Sequence, residues 1–394
     1  MYKSFIVLLG LVFFVGSLHA QQSSLDELLQ SVEVNNKSLA AYRIYMASET
    51  FQFKSQNKLP DPQASAFYLP FGKHNTGDYS EFQVSQRVEF PTVYTARGNW
   101  IDEQQKSMEL EYEKLKQDIL LKAKKLAIEW VYLQKQRKLV QGRITQSKKV
   151  YDQVQTLFDK GQTGILDLNK AKIFWLDRQF ALEELDTREM NVLQELQSLN
   201  GGNKVTFQLN VYPNDIDIPT PDSLWNERLY MDAQISLLEQ EKQVAQQRLK
   251  VERNKLLPDI TAGYNYQGVA GSNFSGFYGG ISIPLWSGRS KIKMAKAQIN
   301  YHDQHQSDVI TSLKSDFNAQ VQQYQLLINK FKEYRKAMGE LNSEVLLQKS
   351  YELGEISFMD YYREVSFYRK AENRMLEIEK KLKQLRAELF KHQL

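Results

Sequence analysis

Two parts of the chain alternate apolar and polar residues with a period of two. Phe82, Val84, Val88 and Phe90 share one side of an extended segment; Glu81, Gln83, Ser85, Arg87 and Glu89 share the other. Further on, Ile260, Ala262, Tyr264 and Tyr266 alternate with Thr261, Gly263, Asn265 and Gln267, and Ile281, Ile283 and Leu285 with Gly280, Ser282 and Pro284. The pattern predicts one strand pair within 63–90 and another within 259–287. The first pair is joined through Gly72 to Asp78 and the second through a loop from Gly268 to Gly276.

Elsewhere the apolar period is three and four. Ile119, Ala123, Leu126, Trp130, Leu133, Val140, Ile144, Tyr151, Val154 and Phe158 form a heptad seam, interrupted by Arg137 and Ser147. Ile310, Leu313, Phe317, Val321, Tyr324, Ile328, Phe331, Met338 and Val345 form a second. Each seam predicts a helix of roughly 60 residues, on the order of 90 Å long. A compact core has no use for such a helix, whereas a rod or a tube does. A shorter helix precedes each strand pair, the first expected as one piece from Ser24 to Asn57, with Ser24 and Glu27 as a capping box. Helices also return after each long one, the last running from Phe358 to about His392.

Landmarks recur in order. Leu59-Pro60-Asp61 and Leu257-Pro258-Asp259 open the two strand pairs. Glycine turns follow at Gly161 and Gly354, each with an aromatic residue three positions before (Phe158, Tyr351) and an aspartate six after (Asp167, Asp360). The chain therefore reads as a duplicated helix, strand, strand, long helix, turn, helix unit. The first copy spans 21–202 and the second 223–394, joined by an irregular, proline-containing crossing at 203–222.

Composition narrows the class. Lys3 followed by an apolar run from Phe5 to Val15 and ending at Ala20 reads as a signal peptide over 1–20; an uncleaved anchor helix is the alternative. Charge is near balance, 51 basic against 47 acidic residues, so nothing calls for nucleic acid as a partner. There is no cysteine, hence no disulfide, thiolate site or lipid-anchor cysteine. No later segment has the roughly 20 apolar residues of a spanning helix, so a membrane wall would have to be built from strands. Four strands of about ten residues have the length to cross as a tilted wall but too few neighbours to close a barrel alone. Several copies would share one barrel, because a bilayer tolerates no open sheet edge.

Taken with the strand exit Ser282-Ile283-Pro284-Leu285-Trp286-Ser287-Gly288-Arg289 and the two Gly-x-x-x-x-x-Asp turns, the chain resembles the TolC-like outer-membrane efflux protein family over its whole mature length. The resemblance implies a mixed α/β membrane protein: a homotrimer with a shared twelve-stranded transmembrane β-barrel in the outer-membrane lipid and a helical barrel in the periplasm. It implies two partners, a periplasmic adaptor protein and an inner-membrane efflux pump, and no cofactor. Glu89-Phe90-Pro91-Thr92-Val93-Tyr94 is similar to the branch associated with heavy-metal cation efflux.

The resemblance also assigns roles at the turns. Gly161, Gly164 and Gly354 would lie where the adaptor docks. Asp167 and Tyr351 match residues that hold the closed entrance together, and Asp360 matches one that lines the constriction. Ile356 stands where the family has an arginine. Arg363 either replaces that arginine or pairs with Asp360 at i,i+3 as ordinary helix surface. Asp167 and Asp360 would equally suit the N-terminal turn of the returning helices through the helix dipole.

Other candidates are thin. His302 and His305 share a helix face without a third ligand. Trp130 and Trp175 fall on seams and read as core, and no spacing suits nucleophilic or acid–base catalysis. Tyr68, Tyr79, Tyr264, Tyr266 and Tyr278 read as interfacial girdle residues or simply as strand formers. Two other readings compete: a periplasmic coiled-coil scaffold without a pore, and an outer-membrane duct for protein secretion.

Overall fold

The computed structural model describes residues 25–70, 78–205, 209, 211–212, 217–269, 271–286, 288–340 and 343–394. The expected signal peptide, the Ser24 cap and most of the first strand connection lie outside them. The elements are α1 (Leu25–Asn35), α2 (Lys37–Gln56), β1 (Gln63–Leu69), β2 (Tyr79–Val88), α3 (Pro91–Asp159) and α4 (Ile165–Leu199), then α5 (Pro221–Met231), α6 (Ala233–Asn254), β3 (Asp259–Val269), β4 (Ser272–Ser282), α7 (Gly288–Glu340), α8 (Ser343–Glu352) and α9 (Phe358–Leu389). No helix among the described residues is long and apolar enough to cross a membrane.

α3 has 69 residues, about 100 Å at 1.5 Å per residue. Pro91 starts it at a position where its missing N–H costs nothing. Four apolar clusters occur among the described residues of the helical part, the smallest being Phe53 of α2 with Ile101 and Met108 of α3. Ala123, Ala127, Val131 and Leu133 of α3 pack with Leu185, Val192 and Leu196 of α4. Phe317, Val321, Tyr324, Ile328 and Phe331 of α7 pack with Ile378, Leu382 and Leu385 of α9. The third lies at the turns. Trp130 is half-buried against the first cluster, and Trp175 stacks on Tyr151 at 5.6 Å between ring centroids.

Four readings of the sequence need correction. The helix expected from Ser24 to Asn57 breaks at Asn36, whose side chain accepts from the Ser38 and Leu39 N–H groups and starts α2. The same break occurs 196 positions later at Asp232, which accepts from the Gln234 N–H and starts α6. The loop expected from Gly268 to Gly276 is strand: β3 runs to Val269 and β4 starts at Ser272, so Ile283 and Leu285 fall beyond the sheet. Val345 is exposed, because the phase of the seam changes between α7 and α8 and Leu347 packs inward instead.

The strands form one antiparallel sheet in the order β1-β2-β3-β4. The central pair joins the two halves of the chain, with Tyr79 opposite Val269 and Val88 opposite Ile260. β1 and β4 are its two edges.

Candidate functional site

Register sorts the sheet into two faces, since directly opposed residues point the same way. One face carries Ala64 and Ala66 of β1, Phe82 and Val84 of β2, Tyr264 and Tyr266 of β3, and Phe277 and Ile281 of β4. Phe82, Phe277 and Ile281 are exposed, Phe277 by 90%. The opposite face carries a polar ladder at its centre, with Phe67, Leu69 and Phe274 exposed towards the β1–β2 and β3–β4 connections. Asn265 donates to Glu81 at 2.7 Å, Tyr79 donates to the same carboxylate, Gln83 reaches the Tyr278 hydroxyl and Arg87 pairs with Asp259. Gly263 makes room for the Tyr278 ring, since a Cβ there would sit 2.5 Å from it. Tyr79 and Tyr278 thus belong to the polar face, and only Tyr68, Tyr264 and Tyr266 are on the apolar one.

At the far end of the helices the two glycine turns are built alike. Gln162 N–H bonds to the Leu157 carbonyl at 2.8 Å and Glu355 N–H to the Ser350 carbonyl at 2.9 Å, the long bonds of a Schellman cap. Gly161 and Gly354 take φ of 70° and 75°, which a side chain would disfavour. Gly164 starts α4 in an extended conformation. Val150 and Val154 of α3, Leu168 and Ala171 of α4, Tyr351 of α8, and Phe358, Tyr361 and Val365 of α9 lock the two tips into one cluster.

Asp167 and Tyr351 line one groove of about 530 Å³ between the tips, with Gln162, Gly354 and Phe358. They do not hydrogen-bond. Thr163 Oγ1 donates to Asp167 at 3.0 Å, and the buried Tyr351 hydroxyl has no hydrogen-bond partner among the described residues. Burial, and then the Asp167 charge, push the Tyr351 phenol up to about 12. Asp360 sits elsewhere on the tip. It accepts from Ser357 Oγ at 2.6 Å in the cap of α9 and from Arg363 at 3.0 Å. Both partners of that ion pair are exposed. Ile356 packs against the tip cluster.

A layer of buried charge just above the tips escaped the sequence reading. Arg369 is 4% exposed and Arg143 is 5% exposed. Arg369 donates to Glu344 at 3.2 Å and to Gln146, and Arg143 to Glu372 at 2.6 Å and Asn373 at 2.9 Å. The signal was present: Arg143, Ser147, Val150 and Val154, like Tyr361, Val365 and Arg369, are spaced as core positions. His302 approaches Glu241 at 3.5 Å and His305 stacks on Tyr301. No group of three or more ligating side chains that could hold a metal occurs among the described residues.

A membrane protein from Pseudomonas aeruginosa superposes with a TM-score of 0.79 at 15% identity, over 93% of this chain and 89% of that one. CusC, described for conformational changes accompanying folding and transmembrane channel formation, gives 0.72 at 13%, over 94% and 92%. The outer membrane protein VceC of Vibrio cholerae gives 0.71 at 15%, over 94% of each. The chain has the TolC-like channel fold. No protein-family model and no curated protein sequence matches it, so the likeness rests on three-dimensional structure. In this chain, among the described residues, the sheet is open at both edges and the two tips pack against each other.

Proposed function

We propose that the protein is the outer-membrane channel of a tripartite efflux system, a homotrimer conducting solutes passively from an inner-membrane pump and a periplasmic adaptor to the exterior. The observation that carries this is the sheet: among the described residues it has four strands, two open edges, one exposed apolar face, and an opposite face whose centre is a hydrogen-bonded polar ladder, with Phe67, Leu69 and Phe274 exposed towards one end. A bilayer requires closure, and three copies would supply twelve strands, with the apolar face to lipid and the Glu81–Asn265 ladder to water. A soluble scaffold would need a layer over Phe82 and Phe277, and among the described residues both remain exposed. The two units, 21–202 and 223–394, would each contribute one strand pair and one helical hairpin.

The turns at Gly161, Gly164 and Gly354 are the proposed adaptor-docking end. Three copies would bring three Asp360 and three Asp167 carboxylates towards one axis, where like charges attract cations. With the Glu89–Tyr94 strand exit, this favours cations, metal ions included, as cargo. Arg363 beside Asp360 would temper that ring. Opening then amounts to the tips parting, biased by adaptor docking.

Detergent-extracted protein in planar bilayers tests the reading. Discrete single-channel steps with cation preference are expected. Asp360→Ala should reduce the preference, and Asp167→Ala should raise conductance. A buffer-soluble monomer giving no conductance would refute the proposal.

A further inference from the structure

Where the helices meet the sheet lies a cavity of about 600 Å³, lined by Lys58, Asp61, Glu89, Arg97, Arg248 and Lys255. Three elements converge on it: the end of α2, the start of α3 and the end of α6. Its cations are held in place. Arg97 pairs with Glu89 and donates to the Gln56 carbonyl at 3.1 Å. Arg248 lies 4.9 Å over the Trp100 ring and 3.2 Å from Glu252. Lys255 shares that buried carboxylate at 3.9 Å. Lys58 is exposed and has no ion pair among the described residues.

Capping of helix C-termini accounts for Lys58 and Lys255 at the ends of α2 and α6. It does not account for Arg97, near the start of α3, nor for Arg248, which lies before the last turn of α6. Burial lowers the affinity of Lys255 for its proton, and Arg248 and Arg97 add to that effect against the pull of Glu252 and Glu89. The four cations face the carboxylates Asp61, Glu89 and Glu252, which leaves one positive charge in excess; among the described residues Arg97, Arg248 and Lys255 are paired and Lys58 is not. An anion with several acceptors can bridge Lys58 and the neighbouring guanidinium forks, a geometry that suits tetrahedral oxyanions.

We propose that this cavity binds a phosphate group, presented by a lipid headgroup or in free form. The lipid source rests on the reading of the sheet as a membrane wall, which sets its foot at headgroup level; the charge and shape of the cavity do not rest on it.

The test uses the full chain in non-ionic detergent. Native mass spectrometry compares phosphatidylglycerol with diacylglycerol of the same chains, and calorimetry titrates inorganic phosphate against chloride. Lys255→Gln and Arg248→Gln should each weaken phosphate-dependent binding about tenfold, the loss of one charge-assisted hydrogen bond. Lys58→Gln, which breaks no ion pair and gives up only an exposed charge at the end of α2, should weaken it with at most a small change in melting temperature, so a folding defect cannot imitate the result. Binding of phosphatidylglycerol but not diacylglycerol identifies the lipid source; binding of inorganic phosphate alone identifies the free ion. Equal retention of the two lipids with no phosphate titration, or binding unchanged in a Lys58→Gln, Lys255→Gln double variant, overturns the proposal. Phosphate binding by a protein that conducts no current would sink the channel reading and leave this one standing.

Discussion

Arg369 places a guanidinium in the packed interior between α3, α8 and α9, where desolvation lowers its proton affinity. Removing the partner of a buried charge leaves that charge to bear the cost, whereas an apolar replacement removes it altogether. Glu344 is itself partly exposed, so Glu344→Ala is expected to destabilise by about 1–2 kcal/mol and Arg369→Met by less than about 1 kcal/mol. Chemical denaturation gives the order, and the reverse order would remove this pair as a source of tip stability. Tyr351→Phe should not lower stability, since the hydroxyl has no hydrogen-bond partner among the described residues; a change in conductance would then report a contact made between copies of the proposed channel. His392 gives a pH test. Burial lowers its affinity for a proton, outweighing Glu227 at 3.4 Å. The unfolded chain then binds the proton more readily than the folded one. Stability is full above the unfolded value of 6.5 and is lost as pH falls below it towards the lowered folded value. Melting temperature should drop between pH 7.5 and 5.5, and His392→Gln should flatten that part of the decline.

At the scale of elements, the two helix breaks differ in what they hold. Asn36 caps α2 and donates to the Leu199 carbonyl at 2.8 Å, so Asn36→Ala should cost about 1 kcal/mol. Asp232 caps α6 and also pairs with Arg228 at 2.9 Å, both buried, so Asp232→Ala should cost about 3 kcal/mol or more. Equal losses in thermal or denaturant melts would sink that distinction. Neither break was legible in the sequence, because a lone Asn or Asp inside a helical pattern reads as surface. The heptad seams were legible wherever their phase held, from Ile119 to Val140, from Tyr151 to Phe158 and from Ile310 to Phe331, while in between the buried positions are Arg143 and Ser147 instead of Ile144. The reading failed at Val345, past the α7–α8 boundary. The Gly/Ser-rich start of β4 has little strand propensity of its own; pairing with β3 decides it. The turns at Gly161 and Gly354 were legible from glycine spacing, while the contact between the two tips is tertiary and left no local trace.

For the whole molecule, the open edges make the sharpest demand. The chain has no cysteine, so introduced pairs report cleanly. Ser65→Cys on β1 combined with one of Gly276→Cys, Tyr278→Cys or Gly280→Cys on β4 places two thiols on the same face at opposite edges. Oxidation should link three chains in a ring, visible as a trimer in denaturing gels at one of these registers and as monomer at the others. Monomer throughout would mean that the edges do not meet. The sequence foretold the faces of the sheet through their alternation, but not that β2 would pair with β3, because nothing local in either strand names a partner.

That central pairing also sets a timetable. Asn265 and Glu81 are 184 residues apart, so the first hairpin of a newly made chain has no mate until most of its sequence has emerged. Closing so long a loop slows folding. Meanwhile the β2 edge waits unpaired, with Phe82 and Val84 beside it, so a half-made chain is prone to borrow a strand from the wrong neighbour until β3 arrives.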